Sequence, residues 1–206
     1  MLTPGEVDEE EEAALALVRR DQGGPASFTP KFLDEVHTMT PTATRKYLAQ
    51  KIKTSFIESH NNHPEYACLY WAQCTVNILT SIGFRAIIQA GSASWPRVTK
   101  EQDDGKIATH MTFSWNSKTI ANELNIAMNY LPEMHVWAAI PNHKEIIDMT
   151  TGFWPDNCKS LLSIDWPGTK PPNYFWGTEE ELPEDVLYEP DIQAIKLAMT
   201  LLKRFP

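Results

Sequence analysis

No run of lysine and arginine stands out in this sequence, and the balance lies the other way: 18 basic residues against 27 acidic ones, a net charge of −9. Gripping nucleic acid or an anionic membrane surface takes a basic footprint, so neither is expected as a partner. Long apolar runs are missing too, and none approaches the roughly 20 residues that a bilayer-spanning helix needs. Cysteine is scarce. Three in 206 residues is an odd count, too low for a disulfide framework and suited to a reducing compartment. The opening MLTPGEVDEEEEAALALVRR has acid where a secretory signal has base, so a cytoplasmic location is expected. There is no internal repeat and no low-complexity segment.

What is present fits one domain with a substantial core. Residues 1–27 read as an acidic N-terminal helix, over about residues 6–20, followed by the linker DQGGPASFTP. Residues 28–206 read as a single domain. A short helix is predicted at 30–36. Another is predicted at 41–58, with Thr40 as N-cap, Pro41 in the first turn and Leu48, Ile52 and Phe56 as its buried stripe. The helical pattern returns from Tyr66 to Ile82, and Gly83 is placed to end it. FRAIIQAGS then reads as a buried strand, WPRVTKEQDDGK as a polar excursion and IATHMTFSW as a strand. SKTIANELNIAMNYL has the pattern of a helix or lid. MHVWAAI and EIIDMTT, joined by PNHK, make the clearest hairpin signal. Residues 153–190, rich in proline and tryptophan, lack periodicity and read as a long ordered loop region, which in a compact domain often borders a site. A last helix is expected from about Pro190 to Arg204, with Ile192, Ile195, Met199 and Leu202 on one face.

The three cysteines are not equivalent. A thiol becomes a nucleophile when it is held as thiolate, and the unpaired N–H groups at a helix start favour that charge. Cys68 lies at such a start. Cys74, nearly two turns further on, reads as a small buried hydrophobe pointing well away from Cys68. Cys158 has neither a helix start nor a nearby histidine. His60 and His63 precede Cys68, but the His-x2-His-x4-Cys-x5-Cys spacing matches no zinc pattern, so no metal is expected. Trp71 and Trp137 read as packing residues.

A catalytic imidazole needs an acceptor on its second nitrogen to fix the tautomer and stabilise the imidazolium. His37 and His143 read as surface residues, and His110 has no carboxylate in prospect. His135 opens the first strand of the hairpin and Asp148 ends the second. A turn centred on Pro141-Asn142 sets the two directly opposite each other, with Cβ atoms roughly 5 Å apart. A slip of one residue would send them to opposite faces.

Cysteine at a helix start, histidine on a strand and aspartate on the next strand together resemble the transglutaminase-like superfamily of papain-type cysteine enzymes. In that family the helix commonly runs Cys, three residues, Ala, and an apolar pattern ending in Leu-Gly or Ile-Gly before a strand. Here Cys68, Ala72, NILTSIG and RAIIQAGS are similar. The family's His-x-Trp strand resembles His135-Val136-Trp137, and its aspartate, followed closely by threonine, resembles Asp148 in IIDMTT. The resemblance covers about residues 64–151. Two departures are Ala67 before the cysteine, where many members carry glycine or a polar residue, and the lack of a proline in the strand after Gly83.

The resemblance implies an α+β, transglutaminase-like or papain-like fold, with N-terminal helices and a catalytic helix packed on an antiparallel sheet. It implies a Cys68–His135–Asp148 triad acting on an amide or acyl bond through a thioester, as protease, amidase or transglutaminase. A peptide or protein amide is the implied substrate. Asn62, six residues before the cysteine, is a candidate for the oxyanion hole beside the Cys68 backbone N–H. The family has calcium-dependent members, but KEQDDGK reads as a solvated turn, and no cofactor is expected. Two alternatives stand beside this reading: acyl transfer of the arylamine N-acetyltransferase kind, and a non-catalytic binding module that keeps the fold. The oligomeric state is left open.

Overall fold

The computed structural model describes residues 41–60, 68–98, 111–116, 134–166 and 169–204. The N-terminal acidic helix, the linker with its boundary near residue 27, the helix at 30–36 and the helix or lid expected at 117–131 lie outside the described residues. So does most of the polar excursion.

Helix α1 spans Pro41–His60. Its expected stripe of Leu48, Ile52 and Phe56 is fully buried, as apolar residues repeating every turn dictate. Helix α2, Cys68–Ser81, buries Trp71, Ala72, Thr75, Val76, Ile78 and Leu79. It ends at Gly83, whose φ of +95° is one that side chains rarely tolerate. There the Gly83 N–H reaches the Thr80 carbonyl at 3.1 Å and the Phe84 N–H reaches Leu79 at 3.0 Å. This paired closure satisfies two carbonyls left over at the helix end and turns the chain into the sheet.

Strand β1, Ile87–Val98, is longer than expected. Trp95-Pro96-Arg97-Val98 continues the strand instead of leaving it, because β1 changes partners along its length. Ile87–Gly91 pairs with β3 (His135–Ile140), and Ala93–Val98 pairs with β2 (Met111–Trp115), with the register shifting between Pro96 and Val98. Gly91–Ser94 also pairs with β6, Leu187–Pro190, so that Gly91 has His135 on one side and Pro190 on the other. Strand β4, Glu145–Asp148, pairs with β3 and with β5, Phe175–Thr178. The described strands thus form one antiparallel sheet of six.

Residues 153–190 are not a loop region. They contain helix α3, Trp154–Leu162, and both β5 and β6. Helix α4, Ile192–Arg204, is capped by Asp191, whose carboxylate takes the Gln193 N–H at 2.8 Å. Its buried stripe is Ala194, Ala198 and Leu202, and of the four residues expected on one face Ile192 is exposed.

Alternation along the strands divides the core in two. Helices α1, α2 and α4 cover one face through Ile88, Ala90, Val136, Ala138, Ile140 and Ile147. The other face is aromatic, with Trp95, Trp137, Phe175 and Tyr188 packed against Trp154 and Cys158 of α3. Strand β3 is buried from end to end, as a strand covered on both faces must be. Arg45 of α1 ties the helical layer to the sheet by bonding Glu145 at 2.6 Å and Glu181 at 3.0 Å. Among the described residues no helix is long and apolar enough to cross a membrane.

Candidate active site

The β3–β4 turn sets the geometry. Pro141–His143 forms a single 3-10 turn, and Lys144 follows in the left-handed region at φ 55° with its N–H on the Pro141 carbonyl. The connection is the expected four residues, but its centre falls at Asn142-His143, one residue later than expected. Ala138 faces Ile147 and Ile140 faces Glu145. Continued by one pair, that register sets Trp137, not His135, across from Asp148. The expected direct opposition of His135 and Asp148 is thus corrected by two residues. A shift of two preserves the face on which each side chain lies, so the diagonal neighbours still meet. The His135 Nε2 lies 2.7 Å from Asp148 Oδ2.

Both side chains are buried. Asp148 is held from its other oxygen as well: Oδ1 accepts the Thr150 backbone N–H at 2.8 Å and the Thr150 hydroxyl at 2.6 Å. The backbone bond is the local turn that an aspartate makes with the residue two further on. Oδ2 accepts a second donor, the Tyr188 hydroxyl at 2.8 Å, and the Trp95 indole N–H donates to that hydroxyl at 3.2 Å. Trp154 stands edge-on to the imidazole with ring centres 5.0 Å apart, and Trp137 lies beside it at 6.1 Å.

Cys68 is the first residue of α2 and is half-buried against the helical core. His135 is the first residue of β3, and it bonds with the Cys68 thiol group. With Asp148 on Nε2, the nitrogen left for sulfur is Nδ1. The site straddles the end of β3, with sulfur coming from the helical side and the His135–Asp148 pair from the aromatic side. Burial alone would strip charge from His135. The Asp148 carboxylate, by charge and hydrogen bond, and the Cys68 group together outweigh that and push the imidazole up to about 10. Asp148 is likewise penalised by burial, but His135 and the two Thr150 donors hold it below the usual carboxylate range. A histidine kept as imidazolium beside a thiol is what an ion-paired thiolate requires.

No protein-family model, curated protein or solved structure matches this chain.

The structure thus brings Cys68, His135 and Asp148 together. Cys74 is separate, bonded to Ser55, with burial pushing its thiol up to about 11, and Cys158 is buried within α3. Trp71 stacks on Phe56 at 3.7 Å, and Trp137 is buried in the aromatic layer. His143 is exposed in the turn. Asn62, His37, His63 and His110 lie outside the described residues. Sequence reasoning did not find Tyr188, Trp95 or Trp154. The Asp-x-Thr spacing was the available signal for Thr150. For Trp154 and Tyr188 the signal was the density of aromatic residues after 153, and Trp95 had none.

Proposed function

We propose that this chain is a thiol enzyme of the transglutaminase-like type that cleaves or transfers an amide or acyl group through Cys68. One observation carries the reading. A buried imidazole has the Cys68 thiol group on one nitrogen and a carboxylate at 2.7 Å on the other, and Cys68 is the first residue of a helix, a position that favours a thiolate.

The chemistry follows from those positions. His135 Nδ1 takes the proton from Cys68, and the thiolate attacks the substrate carbonyl carbon. The oxyanion that forms lies within reach of the Cys68 backbone N–H, with Asn62 as the further candidate donor. As the intermediate collapses, the C–N bond breaks, His135 returns the proton to the leaving amine, and a thioester remains on Cys68. Water, deprotonated by His135, then attacks the thioester and releases the carboxylic acid and the free thiol. An amine in place of water would give transfer. We place hydrolysis of a peptide or protein amide first, because among the described residues none at the site marks out an amine acceptor. Asp148 keeps the imidazole in the tautomer that presents a bare Nδ1 to the thiol and steadies the imidazolium.

The test uses iodoacetamide at about pH 6, where an ordinary thiol is almost wholly protonated. Cys68 is expected to alkylate on the order of tenfold or more faster than a free thiol, and His135→Ala is expected to abolish that advantage. Asp148→Asn is expected to leave the protein folded and to cut amide-cleaving activity by orders of magnitude. A Cys68 as slow as a free thiol and indifferent to His135→Ala would identify a binding module instead.

A further inference from the structure

We infer that Tyr188, from the last strand, is a positioning residue of this site: its hydroxyl fixes the Asp148 oxygen to which His135 is bonded, and Trp95 fixes the hydroxyl. This rests on reading Cys68, His135 and Asp148 as a thiol acyl-enzyme centre.

An ionised carboxylate offers about four lone-pair positions, and Asp148 has four donors: two from Thr150 on Oδ1, and His135 and Tyr188 on Oδ2. With every position taken, the carboxylate plane cannot turn, and the imidazole bonded to it is held in one orientation. The direction of donation is fixed as well. An indole N–H only donates, so Trp95 gives to the Tyr188 oxygen and the Tyr188 hydrogen is spent on Asp148. Burial and the charge of Asp148 push the phenol well above its ordinary value, so it stays a donor. All four side chains are buried, where an unfilled hydrogen-bond position is costly and a filled one rigid.

Tyr188 does more than find a partner for its own hydroxyl. It binds the oxygen that His135 uses and draws negative charge from it. Among the described residues, the titratable groups around Asp148 are His135 from β3, Cys68 beyond it from α2, and Tyr188 from β6. The facing residues of α3 and β5, Trp154 and Phe175, carry no charge. Without the Tyr188 hydroxyl, more of the Asp148 charge is felt by His135, which holds its proton more tightly.

The experiment is the pH profile of Cys68 alkylation by iodoacetamide in the full chain, with unfolding followed separately. Tyr188→Phe is expected to move the limb set by His135 to higher pH, by about half a unit or more. Trp95→Phe is expected to give a smaller shift of the same sign and none when added to Tyr188→Phe, because it acts through the hydroxyl. If Tyr188→Phe does not fold, Trp95→Phe alone decides the sign. An unmoved profile in a variant whose parent shows an activated Cys68 overturns the role of Tyr188. A parent Cys68 no faster than a free thiol overturns the reading of the site.

Discussion

Asp148 accepts four hydrogen bonds while almost wholly out of water, so its ionisation and that of His135 are linked to folding. His135 has its folded value raised from 6.5 to about 10. Its contribution to stability is complete below 6.5 and is lost as the pH rises toward 10. Asp148 is shifted down from 3.8, so its contribution is present above 3.8 and is lost as the pH falls below it. Denaturant midpoints are therefore expected to be highest between 3.8 and 6.5 and to fall on both sides. In Asp148→Asn the acid limb of that dependence disappears and the alkaline limb shrinks, because the amide neither titrates nor attracts the imidazolium. A chain with the same slopes after the substitution would place the linked groups elsewhere.

Among the elements, the hairpin shows where sequence reasoning reaches and where it stops. That His135 and Asp148 share a face was legible, because strand alternation has period two and both apolar runs keep it. The register was not, because a lysine in the left-handed region leaves no mark of the kind that glycine or asparagine leaves. Helix α1 was legible from Leu48, Ile52 and Phe56. Helix α3 was not, since nine residues opening Trp-Pro and burying Trp154, Pro155 and Cys158 contain too few turns for a period to show. Strands β5 and β6, four residues each, are shorter still. The position of β6 also depends on Gly91, where a Cβ would run into the backbone of Glu189 and Asp191. Gly91→Ala is expected to push β6 off β1, to cost about 1–3 kcal/mol of stability, and to move the Cys68 alkylation profile as Tyr188→Phe does. Destabilisation with an unmoved profile would uncouple β6 from the site.

For the molecule as a whole, the sheet is a partition between a helical core and an aromatic one, and the three sulfur- and charge-bearing groups meet where the partition ends. Sequence reasoning could see the helical side, because its apolar stripes repeat. It could not see the aromatic side, which is assembled from residues 93 to 188 by contacts with no local period. That aromatic side has an optical consequence. Indole emission is quenched by a protonated imidazole in contact with the ring, and His135 sits against both Trp154 and Trp137. His135→Gln is expected to brighten the tryptophan fluorescence at neutral pH, and an unchanged spectrum would mean that the imidazole is neutral there. The charge on His135 thereby becomes visible in the protein's own light, before any substrate is known.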